Sequence, residues 1–345
     1  MKKRESNYEL MRIIAMLMIV MGHFWGQSGY DEMATGISYI VGQFLGCGSR
    51  VAVNLFLFIG IWFMVENQIR AKRLLNLYFN VATITIPISL LVYIWGGQEG
   101  VLRGLFPILG NPLWFAVTYL ALIAVSPWLN IAINKLSQNS LKKFVIVLFI
   151  IICFMSSIHS LKDNWLDTFS WFCFAYLLVG YYKKYVSTQC TINKNYLLLG
   201  GLLIYSFLVL LSTIQIPISK VALNYLSDYK SLPNLIISMC VFMFFSRLDI
   251  GSKEAINFVS SGAFSVYIFH QTPALINILW FKIFQCEYFF YYMGPIPYML
   301  VVSGMVYCVG LFIDIMRRKY IEPVIIESRF YKFIEKRIDL FYENI

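Results

Sequence analysis

Charge is scarce in this chain. Of 345 residues only 13% are Asp, Glu, Lys or Arg, about half the share of an ordinary globular domain, and 59% are hydrophobic. That balance excludes a soluble fold, because a protein of this size could not hide so much apolar surface from water. The 28 Lys and Arg outnumber the 18 acids, leaving a net charge of +10. The excess lies in short clusters between apolar runs, with no basic stripe on a soluble domain, so no nucleic-acid partner is expected. Cys47, Cys153, Cys173, Cys190, Cys240, Cys286 and Cys308 form no CxxC pair and no zinc-ligand spacing. They read as small apolar packing residues, and no metal is expected. A phosphate-binding glycine loop, an HExxH helix and a GxSxG elbow are missing too, which argues against an ATP-driven pump or a membrane zinc protease.

Long apolar runs are abundant. They fall near Leu10–Gly26, Val51–Val65, Leu74–Trp95, Leu113–Ile131, Phe144–Ile158, Leu166–Tyr182, Tyr196–Ile216, Leu232–Phe245, Ala263–Ile283 and Tyr298–Met316. Several are close to the lower limit of about 17 residues for crossing the hydrocarbon. The first has a basic front but no small-residue cleavage site after it, so it reads as a retained helix. With the N-terminus inside, the inner joints and tail hold 21 Lys and Arg, the outer joints hold six, Arg50 among them, and Arg12 lies within the first span. The positive-inside bias then predicts an all-α integral membrane protein of about ten transmembrane helices with both termini cytoplasmic. Residues 1–316 form the membrane domain in this reading. Residues 317–345 are basic, carry Tyr320, Ile321, Phe330, Phe333, Ile334 and Phe341, and read as an amphipathic cytoplasmic tail on the inner leaflet.

Ionisable groups at membrane depth need a reason. Arg12 and His23 stand eleven residues apart on one predicted helix. Eleven steps of about 100° bring them to one face, about 16 Å apart along the axis. That spacing suits a long cavity with an anion site near the cytoplasm and a proton acceptor deeper in. Taken singly, Arg12 could instead snorkel to lipid phosphates, and His23 could be satisfied by a neighbouring helix. His270 is a second intramembrane histidine, three residues before Pro273, where a kink can open a cavity. A structural reading serves it equally well. His159 is given no role. The joint Arg70-Ala71-Lys72-Arg73 opens the third span, where a helix N-terminus and basic side chains suit phosphates, or simply anchor the topology. Asn111-Pro112-Leu113-Trp114-Phe115 fits an outer aromatic belt.

"NYELMRIIAMLMIVMGHF", with ten residues between Arg12 and His23, resembles the opening signature of the membrane-bound acyltransferase 3 family. "VAVNLFLFIGIWFM" is similar to its second span, with Ile59-Gly60 where a Ser-Gly pair is usual. "RAKRLLNLY" resembles its basic joint, with Asn76 where an arginine is common. "NPLWFAVTYLALIAVSPWL" and "SGAFSVYIFHQTP" follow in the family's order, so the likeness covers nearly the whole chain. It implies transfer of an acyl group, usually acetyl, from cytoplasmic acetyl-CoA to a hydroxyl of a cell-surface or lipid-linked polysaccharide, at a bacterial plasma membrane. With no extracellular transferase domain, the membrane domain is expected to complete the transfer. Nothing in the residues separates acetyl from succinyl.

The residues suit that chemistry. A sugar hydroxyl is a poor nucleophile at neutral pH, and neutral histidine is the best matched base, a role assigned to His23. Arg12 would orient the donor from the cytoplasmic side or polarise the thioester carbonyl. Arg70, Lys72 and Arg73 would hold the donor's phosphates. His270 would be a second acid–base group or a structural contact. Whether His23 activates the acceptor or carries the acyl group itself is open. A transporter exporting a glycan or small organic solute is the alternative, and a non-catalytic scaffold is a third. Release of free thiol from acetyl-CoA separates the enzyme from both.

Overall fold

A computed structural model describes residues 4–65, 67, 71–109, 113–158, 168–214 and 217–343. Arg70, His159, Asn111 and Pro112 lie outside the described residues. Among those described, all regular structure is helical. The principal helices are α1 (Ser6–Gln27), α2 (Gly36–Met64), α3 (Ala71–Ile94), α4 (Trp114–Lys135), α5 (Gln138–Leu148) and α6 (Thr168–Tyr181). They continue with α7 (Lys194–Thr213), α8 (Leu232–Ser246), α9 (Ala263–His270), α10 (Pro295–Met316) and α11 (Arg329–Tyr342).

Six helices among the described residues are long and apolar enough to cross a membrane, or seven if the pair Ile218–Ser227 and Leu232–Ser246, bent by 49°, is one span. The chain is therefore a multi-pass membrane protein. The other expected spans fall on shorter or interrupted helices. Phe144–Ile158 begins in α5 and runs into a π-helical stretch, Phe149–Phe154. Ala263–Ile283 is broken after His270: the Thr272 hydroxyl donates to the Ile268 carbonyl at 2.8 Å, and Pro273 has no N–H with which to continue the ladder.

The second helix differs most from its sequence reading. Val51–Val65 covers only the C-terminal half of α2, which runs unbroken from Gly36 and carries Arg50 inside the helix, not in an outer joint as expected. The Gly-rich N-terminal half of α2 packs closely on α1. A side chain at Gly42 or Gly46 would collide with the Trp25 ring, at 2.0 and 2.7 Å. On α1 itself, a Cβ at Gly22 would stand 2.3 Å from that of Ser49. Such small faces let membrane helices approach closely, and this contact sets the register of α1 against α2.

Polar groups inside the bundle find partners. Fully buried Asn54 of α2 donates to the Tyr229 carbonyl at 2.8 Å and accepts from Trp171 Nε1 at 3.1 Å, tying α2 to α6 and the turn before α8. In α4, Pro127 cannot bond the Ile123 carbonyl, and the Ser126 hydroxyl donates to it instead at 2.9 Å. Lys183 donates to the Trp62 carbonyl (2.8 Å) near the end of α2, and Lys184 to Ile133 (2.9 Å) near the end of α4. Both cations sit where helix dipoles are negative.

Candidate active site

Helix α1 carries His23 and α9 ends on His270. The two rings meet, with His23 Nδ1 2.9 Å from His270 Nε2. His270 is fully buried, and its Nδ1 lies 2.6 Å from the Val266 carbonyl oxygen. A carbonyl can only accept, so Nδ1 of His270 carries the proton and, in the neutral ring, its Nε2 is an acceptor. His23 must then donate from Nδ1, which leaves its Nε2 lone pair free of any described residue. The geometry thus selects the tautomer of both rings. One turn further along α1, Gln271 donates to Gln27 at 3.2 Å and Trp280 Nε1 donates to the same amide oxygen at 3.0 Å, clamping α1 to the end of α9.

His23 opens into a pocket of about 20 Å³ lined also by Ser49, Arg50, Trp114, Phe115 and Tyr267. That is room for little more than one water molecule. On the side towards Arg12 stand Phe56 and Phe264, stacked with centroids 6.4 Å apart and planes 26° apart. Beyond them lies a second cavity of about 370 Å³, lined by Arg12, Gly60, Arg73, Asn76, Asn80, Tyr119, Ser260, Arg317 and Glu322 among others. Phe56 and Phe264 line both spaces. The long cavity expected from the Arg12–His23 spacing is therefore two chambers separated by two phenylalanine rings.

Arg12 belongs to the larger chamber. Its guanidinium is 2.6 Å from Glu9, one turn earlier on α1, and Ser260 donates to the same carboxylate oxygen at 2.5 Å. Arg73 faces this chamber and makes no ion pair with a described residue. Lys72 is exposed and does not line it. The N–H of Ala71, at the start of α3, donates to Asp339 of α11 at 2.8 Å, so the helix terminus expected to receive phosphate already holds a carboxylate. Arg317, just past α10, reaches the chamber while pairing with Asp314 (3.0 Å) and Glu322 (3.0 Å). No cluster of three or more His, Cys, Asp or Glu among the described residues could hold a metal ion.

Sequence reasoning placed Arg12 and His23 on one helix face but did not foresee the His23–His270 contact, which joins segments 247 residues apart. It also passed over Glu9, Arg50 and Arg317. Only Arg50 had a usable signal, an arginine amid small and apolar residues. Residues 5–315 match the family model described as an acyltransferase domain, Acyl_transf_3. The chain belongs to the acyltransferase 3 family. No curated protein and no solved structure gives a match.

Of this acyltransferase's two departures from the family pattern, Asn76 lines the larger chamber, while buried Ile59 stands beside Gly60, which lines it. Gly60 keeps the glycine of the usual Ser-Gly pair, and a Cβ there would stand 2.2 Å from the Tyr119 hydroxyl. Asn76, where an arginine is common, accepts a hydrogen bond from Tyr331 of α11 at 2.7 Å. Burial pushes the Tyr331 phenol up to about 12, so it remains a donor. Helix α11 lies beyond the family match. It docks on α3 through Tyr331 and Asp339 while Phe330, Phe333 and Phe341 stay exposed.

Proposed function

We propose that this acyltransferase moves an acetyl group from cytoplasmic acetyl-CoA to a hydroxyl of a cell-surface or lipid-linked polysaccharide, in the plasma membrane of a bacterium, with His23 as general base. The observation that carries this reading is the free Nε2 of His23, backed by a chain of hydrogen bonds through His270 to the Val266 carbonyl. Ten crossings with both ends in the cytoplasm follow from the charge bias. Moving Arg50 from an outer joint into α2 lowers the outer count and strengthens that bias. The larger chamber then faces the cytoplasm, because Arg12 sits near the inner end of α1.

Arg73, with Arg70 and Lys72 of the same basic run, holds the donor's phosphates, while Arg12 orients the pantetheine arm. The acyl end passes Phe56 and Phe264 to reach His23. The acceptor hydroxyl gives its proton to His23 Nε2 as its oxygen attacks the thioester carbonyl. The new positive charge on His23 is stabilised by its Nδ1–H bond to neutral His270. Collapse of the tetrahedral adduct breaks the carbon–sulfur bond, and the thiolate takes the proton from His23. Water, acceptor and acyl group do not fit together in a pocket of about 20 Å³, so the phenylalanine pair must swing aside for each turnover. Residues 1–316 act as the catalytic membrane domain and the tail as a cytoplasmic brace.

The test is thiol release from acetyl-CoA by the purified chain in lipid nanodiscs, run beside proton NMR of surface O-acetyl groups in cells. The enzyme releases thiol and raises O-acetyl content. A transporter or scaffold does neither, and that outcome would overturn the proposal.

A further inference from the structure

Arg50 stands at the middle of α2. It lies fourteen residues from either end of the unbroken helix α2, about 21 Å from each. His23 lies seventeen residues from the inner end of antiparallel α1, about 25 Å. The two therefore stand at nearly one depth, and the Gly22–Ser49 contact between their preceding neighbours fixes the same register independently. Both line the small pocket, where Arg50 is the lone cation among the described residues and the walls are otherwise mostly apolar.

Three other arginines have carboxylate partners: Arg12 has Glu9, and Arg317 and Arg318 have Asp314. No described residue hydrogen-bonds or ion-pairs with Arg50. An arginine held at membrane depth without a counter-charge is costly, and the usual reason is a negative charge that arrives with a ligand. Sequence reasoning gave Arg12 the option of polarising the thioester carbonyl. Arg12 lines the other chamber, behind Phe56 and Phe264, and is already committed to Glu9.

We propose that Arg50 is a catalytic residue that binds the oxyanion formed when the acyl carbonyl is attacked beside His23. This rests on the acyl-transfer reading. As the acceptor oxygen bonds to the carbonyl carbon, the carbon–oxygen π pair moves onto the carbonyl oxygen, and the Arg50 guanidinium donates to that oxygen. When the carbonyl re-forms, the carbon–sulfur bond breaks and the proton held on His23 goes to sulfur. Arg50 keeps its charge throughout. A fixed donor aimed at developing charge in a water-poor site acts more strongly on the transition state than on the bound thioester.

The experiment uses the full-length chain in nanodiscs with acetyl-CoA and with water in place of the sugar hydroxyl, comparing wild type, Arg50→Gln and Arg50→Lys. Thermal unfolding and acetyl-CoA binding are measured alongside. Arg50→Gln is expected to lower kcat for thiol release by about 100- to 1000-fold, the effect of losing one oxyanion donor, with acetyl-CoA affinity within about twofold of wild type. Arg50→Lys should recover part of the loss. Wild-type kcat in a folded Arg50→Gln protein would overturn the proposal. Intact hydrolysis with loss of O-acetyl groups in cells would overturn it too, and would make Arg50 a site for a carboxylate or phosphate on the acceptor. If the wild type releases no thiol, acyl transfer itself fails, and the role of Arg50 with it.

Discussion

Replacing His270 by Asn separates the two jobs of that ring. The Asn amide nitrogen falls near the position of His Nδ1, so it can still donate to the Val266 carbonyl, 2.6 Å from Nδ1 in the native protein. Nothing then occupies the position of Nε2, which accepts from His23 at 2.9 Å. His23 loses the partner that holds its Nε2 free and that stabilises it once protonated. A hydrogen bond to a charged group contributes about 1.5–3 kcal/mol. At about 1.36 kcal/mol per factor of ten, kcat should fall about 10- to 150-fold. Gln at the same position extends an amide to the place of Nε2 and offers an acceptor, so it should outperform Asn. The assay is steady-state thiol release in nanodiscs, with thermal unfolding as the control because His270 is fully buried. A folded His270→Asn protein with wild-type kcat would refute the relay.

Phe56→Ala opens the partition between the chambers and should admit longer acyl groups. One methylene in an apolar pocket is worth about 1–3 kcal/mol, so the preference for acetyl-CoA over butyryl-CoA should drop at least about tenfold, read as a ratio of kcat/KM values. Tyr331→Phe removes the bond to Asn76, and Asp339→Ala uncaps α3 at Ala71. Each should cost about 1 kcal/mol of thermal stability and raise KM for acetyl-CoA more than it lowers kcat, because Asn76 lines the donor chamber. In the joint between α6 and α7, a hydrogen bond with Arg247 holds the Cys190 thiol below its ordinary range. A depressed thiol stays ionised to lower pH, so alkylation of Cys190 near neutrality should be faster than in Arg247→Gln. An impermeant reagent should reach it only from the cytoplasmic face.

The membrane class, the apolar runs and the common face of Arg12 and His23 could be read from the sequence, because composition and helical period are local properties. Boundaries were less legible wherever polar residues belong inside a helix. Ser6, Asn7 and Glu9 looked too polar for the first span, yet all three are buried in α1: Ser6 bonds Asn257, Asn7 bonds the Phe245 carbonyl, and Glu9 meets Arg12 and Ser260. The glycines before Arg50 looked like a joint, when their smallness serves the α1–α2 contact. His270 could be flagged as buried and near a proline, but its partner is set by packing between distant segments, which no local pattern encodes. Whether the helix start at Ala71 is free for an anion depended likewise on Asp339, 268 residues away.

The role of His23 is tested by expressing the wild type and His23→Ala at equal membrane levels, in a bacterium that makes its own surface polysaccharide and lacks the native gene. Thiol release in nanodiscs and O-acetyl signals by proton NMR are then compared. A general base contributes about 10²- to 10⁴-fold, so the variant should lose both readouts while still binding acetyl-CoA in the chamber beyond Phe56 and Phe264. Undiminished O-acetylation by a folded His23→Ala protein would contradict the assignment and remove the histidine pair from the chemistry.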